Sequence, residues 1–176
     1  MIIDITTFTL LHTLISLVGI TAGLVVVGGL IAGQRLDGWT GLFLVTTGLT
    51  SVTGFGFPFT HLLASHQVGI LSLIILPFVI VARYWKHLVG RWRGVYVGGT
   101  VVVLYLNFFV LVVQLFRRIP ALLVSAPTQK EPPFVLTQLL VLALFAVLGI
   151  AAYKRFRLQA LVIEPGIRVR AAAANR

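Results

Sequence analysis

The chain contains no cysteine and only four acidic residues among 176. Without thiols, disulfides, thiolate metal sites, iron–sulfur clusters and c-type haem attachment are excluded. The four acids, Asp4, Asp37, Glu131 and Glu164, all lie outside the long apolar runs. A proton- or cation-coupled carrier built on a membrane-embedded carboxylate therefore has no coupling group here. Also missing are a Ser–His–Asp set, a P-loop, an HExxH helix, a selectivity-filter motif and a visible inverted repeat of broken helices. An enzyme acting through a carboxylate would be left with Glu131 or Asp37, both in expected loops. No basic segment precedes the first apolar run, which is too long for a signal-peptide core, so the first span is expected to stay in the mature protein.

What is present is apolar. The chain is 59% hydrophobic and 10% charged, with a mean hydropathy of +1.05. Ordinary soluble domains carry about 25% charged residues, so the composition specifies an integral membrane protein embedded in a lipid bilayer. A net charge of +10 would point to nucleic acid in a soluble chain. Here the basic residues sit at the ends of apolar runs, where they anchor and orient helices, and no nucleic-acid partner is expected.

The pattern predicts an all-α, polytopic membrane helix bundle of five transmembrane helices. They run from Phe8 to Ala32, Trp39 to Phe57, Val68 to Ala82, Tyr96 to Phe116 and Phe134 to Ala152. Residues 1–157 form the transmembrane domain and 158–176 a short basic tail, frayed or lying at the headgroups. The fourth run, YVGGTVVVLYLNFFVLVVQLF, organises the rest: it has no charge and is long enough to span. Tyr96, Thr100, Asn107, Gln114 and Arg118 fall within about 40° of one another on a 3.6-residue repeat. That face should look inward, because amides facing lipid are costly. In the first span, Gly19, Gly23, Gly29 and Gly33 form small-xxx-small pairs that permit close helix contact. Pro77 predicts a kink in the third span, and RYWKHLVGRWR after it is an interfacial signature. Counted over five crossings, 11 Lys/Arg fall on one side and three on the other. The positive-inside rule then puts the N-terminus outside and the C-terminus in the cytoplasm.

With that topology, polar side chains collect in one layer near the outer face. His12 belongs to the first span, His61 and His66 to the connection before the third, and Gln114 and Arg118 to the end of the fourth. Asn107 lies deeper on the same inward face. Three imidazoles could ligate a transition metal, and two on different elements could ligate a b-type haem. His61 and His66, five apart, point about 140° apart on a helix, so they cannot grip one metal from a regular helix. Arg117 or Arg118 could then pair with a haem propionate, and Gly19 and Gly23 could let the ring approach the backbone. The plainer reading makes Asn107 and Gln114 interhelical glue and the histidines headgroup contacts. The Thr128–Glu131 loop is a solvated tip or a lid over the outer mouth. The functional expectation is a haem, metal or quinone site used in electron transfer. Its alternatives are an accessory subunit packed on a membrane-protein partner, a homo-oligomeric small-solute permease, or lipid enzymology.

Gly98 to Phe134, with LYLNFFVLVVQLF, RIPAL and APTQKEPPF, and SVTGFGFPF at 51–59, carry a resemblance to small multi-span proteins of bacterial inner membranes. The likeness spans Leu36 to Gln138. It implies a multi-pass protein of the bacterial inner membrane and no particular chemistry. A looser likeness to four-helix b-type membrane cytochromes is weakened by histidines that do not sit at matched mid-helix positions.

Overall fold

A computed structural model of the chain describes residues 5–57 and 64–174, with side chains given for 5–57 and 65–156. The described residues form six α-helices: α1 (Ile5–Ile31), α2 (Asp37–Thr53), α3 (Ala64–Ile80), α4 (Arg91–Arg118), α5 (Pro120–Ser125) and α6 (Pro132–Ala174). Four segments are long and apolar enough to cross a membrane: Ile5–Ile31, Ser65–Trp85, Arg91–Arg118 and Pro132–Phe156. The expectation of five transmembrane helices is thereby corrected to four. The helix that drops out is α2. Its 17 residues rise only ~25 Å, short of a hydrocarbon core of ~30 Å. It gives way to a 3-10 turn at Gly54–Gly56, where the sequence reading carries the span on to Phe57. The N-outside, C-cytoplasmic orientation was counted over five crossings and falls with the fifth.

Large apolar side chains cover the exterior as well as the core, unlike the surface of a soluble protein. On α2 the buried residues include Thr40, Thr46, Thr47 and Ser51, while Leu42, Val45, Leu49 and Val52 are exposed. Two of these hydroxyls bond within the helix: Thr40 donates to the Leu36 carbonyl at 2.8 Å and Thr46 to the Leu42 carbonyl at 2.7 Å. On α6, Leu136, Leu139, Leu140 and Val147 all face outward. An apolar exterior around a hydroxyl-bearing interior is the arrangement lipid selects.

Glycines set the helix spacing. A Cβ on Gly23 would fall 2.5 Å from Leu104 Cδ1 and 2.8 Å from Phe43 Cε2, and one on Gly19 2.9 Å from Thr46 Oγ1. The two glycines thus seat α1 against α2 and α4, and do not line a ring site. Gly33 adopts φ 72°, the left-handed conformation that ends α1 and brings the Gln34 N–H back to the Gly29 carbonyl at 2.7 Å. Past Pro77 in α3, the chain winds into a π turn at Val81–Trp85, closed by the Leu88 N–H on the Ala82 carbonyl at 3.0 Å.

That π turn carries Arg83 inward. The sequence reading counts Arg83 among the interfacial cations, yet it is 2% exposed. It donates to Asp37 at the start of α2 and lies 5.1 Å from the Tyr96 ring centroid. Tyr96, 1% exposed, shares a 3.2 Å hydrogen bond with Thr40. One end of the bundle is therefore tied through α2, α3 and α4, and the opposite end opens.

The stretch after Arg118 is not a plain loop. It contains α5 and then folds back, with Ala126 buried beside Val112, Val113, Phe116 and Phe134. Gln129 and Gln138 donate from Nε2 to the Val113 and Phe109 carbonyls at 2.9 and 3.2 Å. Beyond Phe156 the backbone continues as helix to Ala174.

Candidate functional site

At the open end the helices enclose a cavity of about 600 Å³, within the ~300–1,000 Å³ range of small-molecule pockets. The first half of α1 supplies His12 and Ser16, and the end of α2 supplies Thr50 and Ser51. The 3-10 turn and the residue after it supply Phe55 and Phe57, the start of α3 His66 and Ser72, and the second half of α4 Asn107, Gln114, Arg117 and Arg118. Ile20, Val68, Val110, Leu111 and Leu115 make apolar wall between them. Five of the six residues nominated from sequence line this one space. The sixth, His61, lies outside the described residues. His87, at the other end, is exposed with φ 47°.

His12 is held in a defined orientation. Its Nδ1 lies 2.9 Å from Thr53 Oγ1, and that hydroxyl also lies 2.7 Å from the Leu49 carbonyl. A carbonyl can only accept, so the Thr53 proton belongs to it, and the imidazole Nδ1 is the donor to Thr53. The lone pair then sits on Nε2, the atom able to ligate a metal or accept a proton. Phe57 meets the His12 ring edge-on at 5.1 Å and 88°. Its neighbour Phe55 lies 5.6 Å from the His66 ring, and His66 is buried at 3% exposure. The GFGF stretch thus braces both imidazoles through alternate phenylalanines.

The inward face of α4 divides by depth. Asn107 donates to Thr47 Oγ1 at 3.3 Å, a long bond that ties α4 to α2. Gln114, half-buried, lines the cavity one turn from the Arg117–Arg118 pair. Both arginines also line it, and among the described residues no carboxylate does. Among the described residues the one ion pair is Arg83–Asp37, so neither cation has an acidic partner there. Consecutive helix residues point about 100° apart. For Arg117 and Arg118 both to touch one space, the mouth must wrap around the end of α4.

Among the described residues no three His, Cys, Asp or Glu come together as a metal set. The Thr128–Glu131 turn contributes nothing to the lining, because Gln129 is drawn onto α4 at Val113. The lid expectation is corrected accordingly. Phe55, Phe57 and Thr53 are positioning residues that the sequence expectations do not include. Their alternation around the glycines of FGF is the signal that would have found two of them.

No protein-family model, curated protein or solved structure matches the chain. The likeness to bacterial inner-membrane proteins thus has no counterpart in these comparisons, and what stands is a multi-pass membrane helix bundle.

Proposed function

We propose that the protein is a membrane-embedded binding protein for an amphipathic redox cofactor, held in the cavity between α1, α2, α3 and α4 and used in electron transfer. The observation that carries this is that His12 and His66, from two different helices, both line one cavity in which no described residue is acidic. A b-type haem fits the donor set. The only methionine is Met1 and there is no cysteine, so imidazole is the available axial donor. His12 has its Nδ1 proton fixed by Thr53, the outer hydrogen bond that orients a ligating ring. His12 and His66 would hold the iron, which supplies one-electron chemistry, while the protein sets its access to water.

A quinone is the second reading. Gln114 lines the cavity, and His12 offers a proton-accepting Nε2 beside apolar walls. A quinone needs both a hydrogen-bond donor and a proton-exchanging base.

The test is an optical spectrum and an organic extract of protein purified in mild detergent. Haem gives an intense absorption band that is lost in the His12→Ala and His66→Ala variants, and quinone appears in the extract. A colourless protein whose extract holds neither, and which takes up neither when supplied, overturns the reading.

A further inference from the structure

We infer that the occupant of the cavity is an elongated acidic amphiphile, with its anionic end between Arg117 and Arg118 and its other end among the deep hydroxyls and amide. This rests on the cavity being a ligand site and not on the ligand being haem.

Charge comes first. Arg117 and Arg118, both exposed, are among the residues at the mouth, and among the described residues no carboxylate lines it. Last-turn cations complement a helix C-terminus, and that explains why arginine is tolerated at the end of α4. It does not explain why both residues border the same space. A guanidinium at the rim of a cavity attracts a carboxylate or phosphate that enters it, more strongly as water is displaced, and its planar fork suits those groups.

Shape comes second. The lining residues of α4 run from Asn107 to Arg118, 11 residues apart, so the space extends ~16 Å along the helix. Along α4 the apolar Val110, Leu111 and Leu115, with Gln114 among them, lie between the arginines and Asn107, which shares the lining with Ser16 and Thr50. A small inorganic anion would fill only the mouth. A neutral lipid would leave the arginines without a counter-charge. A long molecule with an acid at one end and an apolar body satisfies both. A porphyrin bearing propionates and a long-chain fatty acid share this chemistry.

The experiment pairs each acid with its ester: haemin against its dimethyl ester, and oleate against methyl oleate. Decylubiquinone serves as the neutral redox probe. Binding to full-length protein in a neutral detergent is read by native mass spectrometry. At least one acid should bind about tenfold or more tightly than its ester, the scale of a charge-assisted contact. Which acid does so separates porphyrin from acyl chain. The R117Q/R118Q variant should lose that preference while ester binding is unchanged. The R117K/R118K variant keeps the charge and should retain most of it, and R91Q/R93Q at the other end should change nothing. Equal binding of acid and ester, or an acid preference that survives R117Q/R118Q, overturns the inference. Decylubiquinone binding with neither acid preferred over its ester overturns it and leaves the cofactor-binding reading standing. If no probe binds, both fall.

Discussion

Arg83 is the most demanding single residue in the molecule, because its guanidinium is buried while the carboxylate that neutralises it stays in water. The Asp37 side chain is 80% exposed against 2% for Arg83. The two partners are therefore unequal. Removing the carboxylate leaves a desolvated cation supported by the Tyr84 and Tyr96 rings at 5.8 and 5.1 Å. Removing the cation leaves a carboxylate that water can solvate. Buried pairs are more often replaceable as a unit than breakable by halves. Asp37→Asn should lower stability by about 1–3 kcal/mol, and Arg83→Met should cost less, since its thioether chain fills the same apolar path. Thermal unfolding of the two variants in one detergent checks the order. An Arg83→Met protein less stable than Asp37→Asn would show that the charge itself holds the turn.

At the scale of elements, close approach and capping decide where helices sit. On α1 the glycines differ sharply: Gly23 faces Leu104 and Phe43 at 2.5 and 2.8 Å from a built Cβ, whereas Gly28 meets nothing within 4 Å. Gly23→Val should destabilise by about 1–3 kcal/mol through overpacking, while Gly28→Val should change stability little; equal unfolding temperatures would refute the assignment of α1's packing face. The start of α6 depends on Glu131, whose backbone carbonyl accepts from Phe134 and Val135. Its carboxylate accepts from the Thr128 hydroxyl at 2.8 Å and from the Thr128 and Lys130 N–H groups. Desolvation pushes the carboxyl up, but the hydrogen bonds together outweigh it and hold the group below its ordinary value. A depressed carboxyl stabilises the turn above its unfolded pKa, and the contribution is lost as pH falls through the folded value. Amide exchange at residues 128–131 should therefore quicken in acid, below the ordinary glutamate range. A Glu131→Gln variant should show no such step.

Legibility in the sequence follows the same physics. The inward face of α4 could be read, because Tyr96, Asn107 and Gln114 keep a helical period and amides are costly in lipid; Tyr96 and Asn107 do reach Thr40 and Thr47. The gathering of His12, His66 and Gln114 at one end could be read from depth alone. The span count could not. Trp39 to Phe57 is apolar enough to pass by composition, and only the 3-10 turn at Gly54 shows how short the helix is. Nor could the burial of Arg83 be read. A cation after an apolar run reads as interfacial unless the π turn that rotates it inward is known. Likewise Gln129 reads as solvated until its bond to the Val113 carbonyl is seen.

For the whole molecule, two kinds of surface must be told apart: apolar side chains exposed to lipid and polar ones exposed to a wet cavity. The absence of native cysteine makes the distinction measurable, since every single-cysteine variant is free of background. Maleimide reacts with thiolate, which forms only where water reaches. Thr50→Cys and Gln114→Cys, both on the cavity wall, should label in sealed vesicles with a membrane-impermeant maleimide from one side. Val45→Cys, Val52→Cys and Val147→Cys, all outward on the bundle, should resist from both sides. The side that labels also reports which face the cavity opens to. An acidic amphiphile seated in the cavity should slow labelling of Gln114→Cys, beside the arginines. Labelling of Val52→Cys as fast as Gln114→Cys would mean that lipid does not cover the outer face of α2. The inverted burial of that helix would then need a protein partner in place of the bilayer.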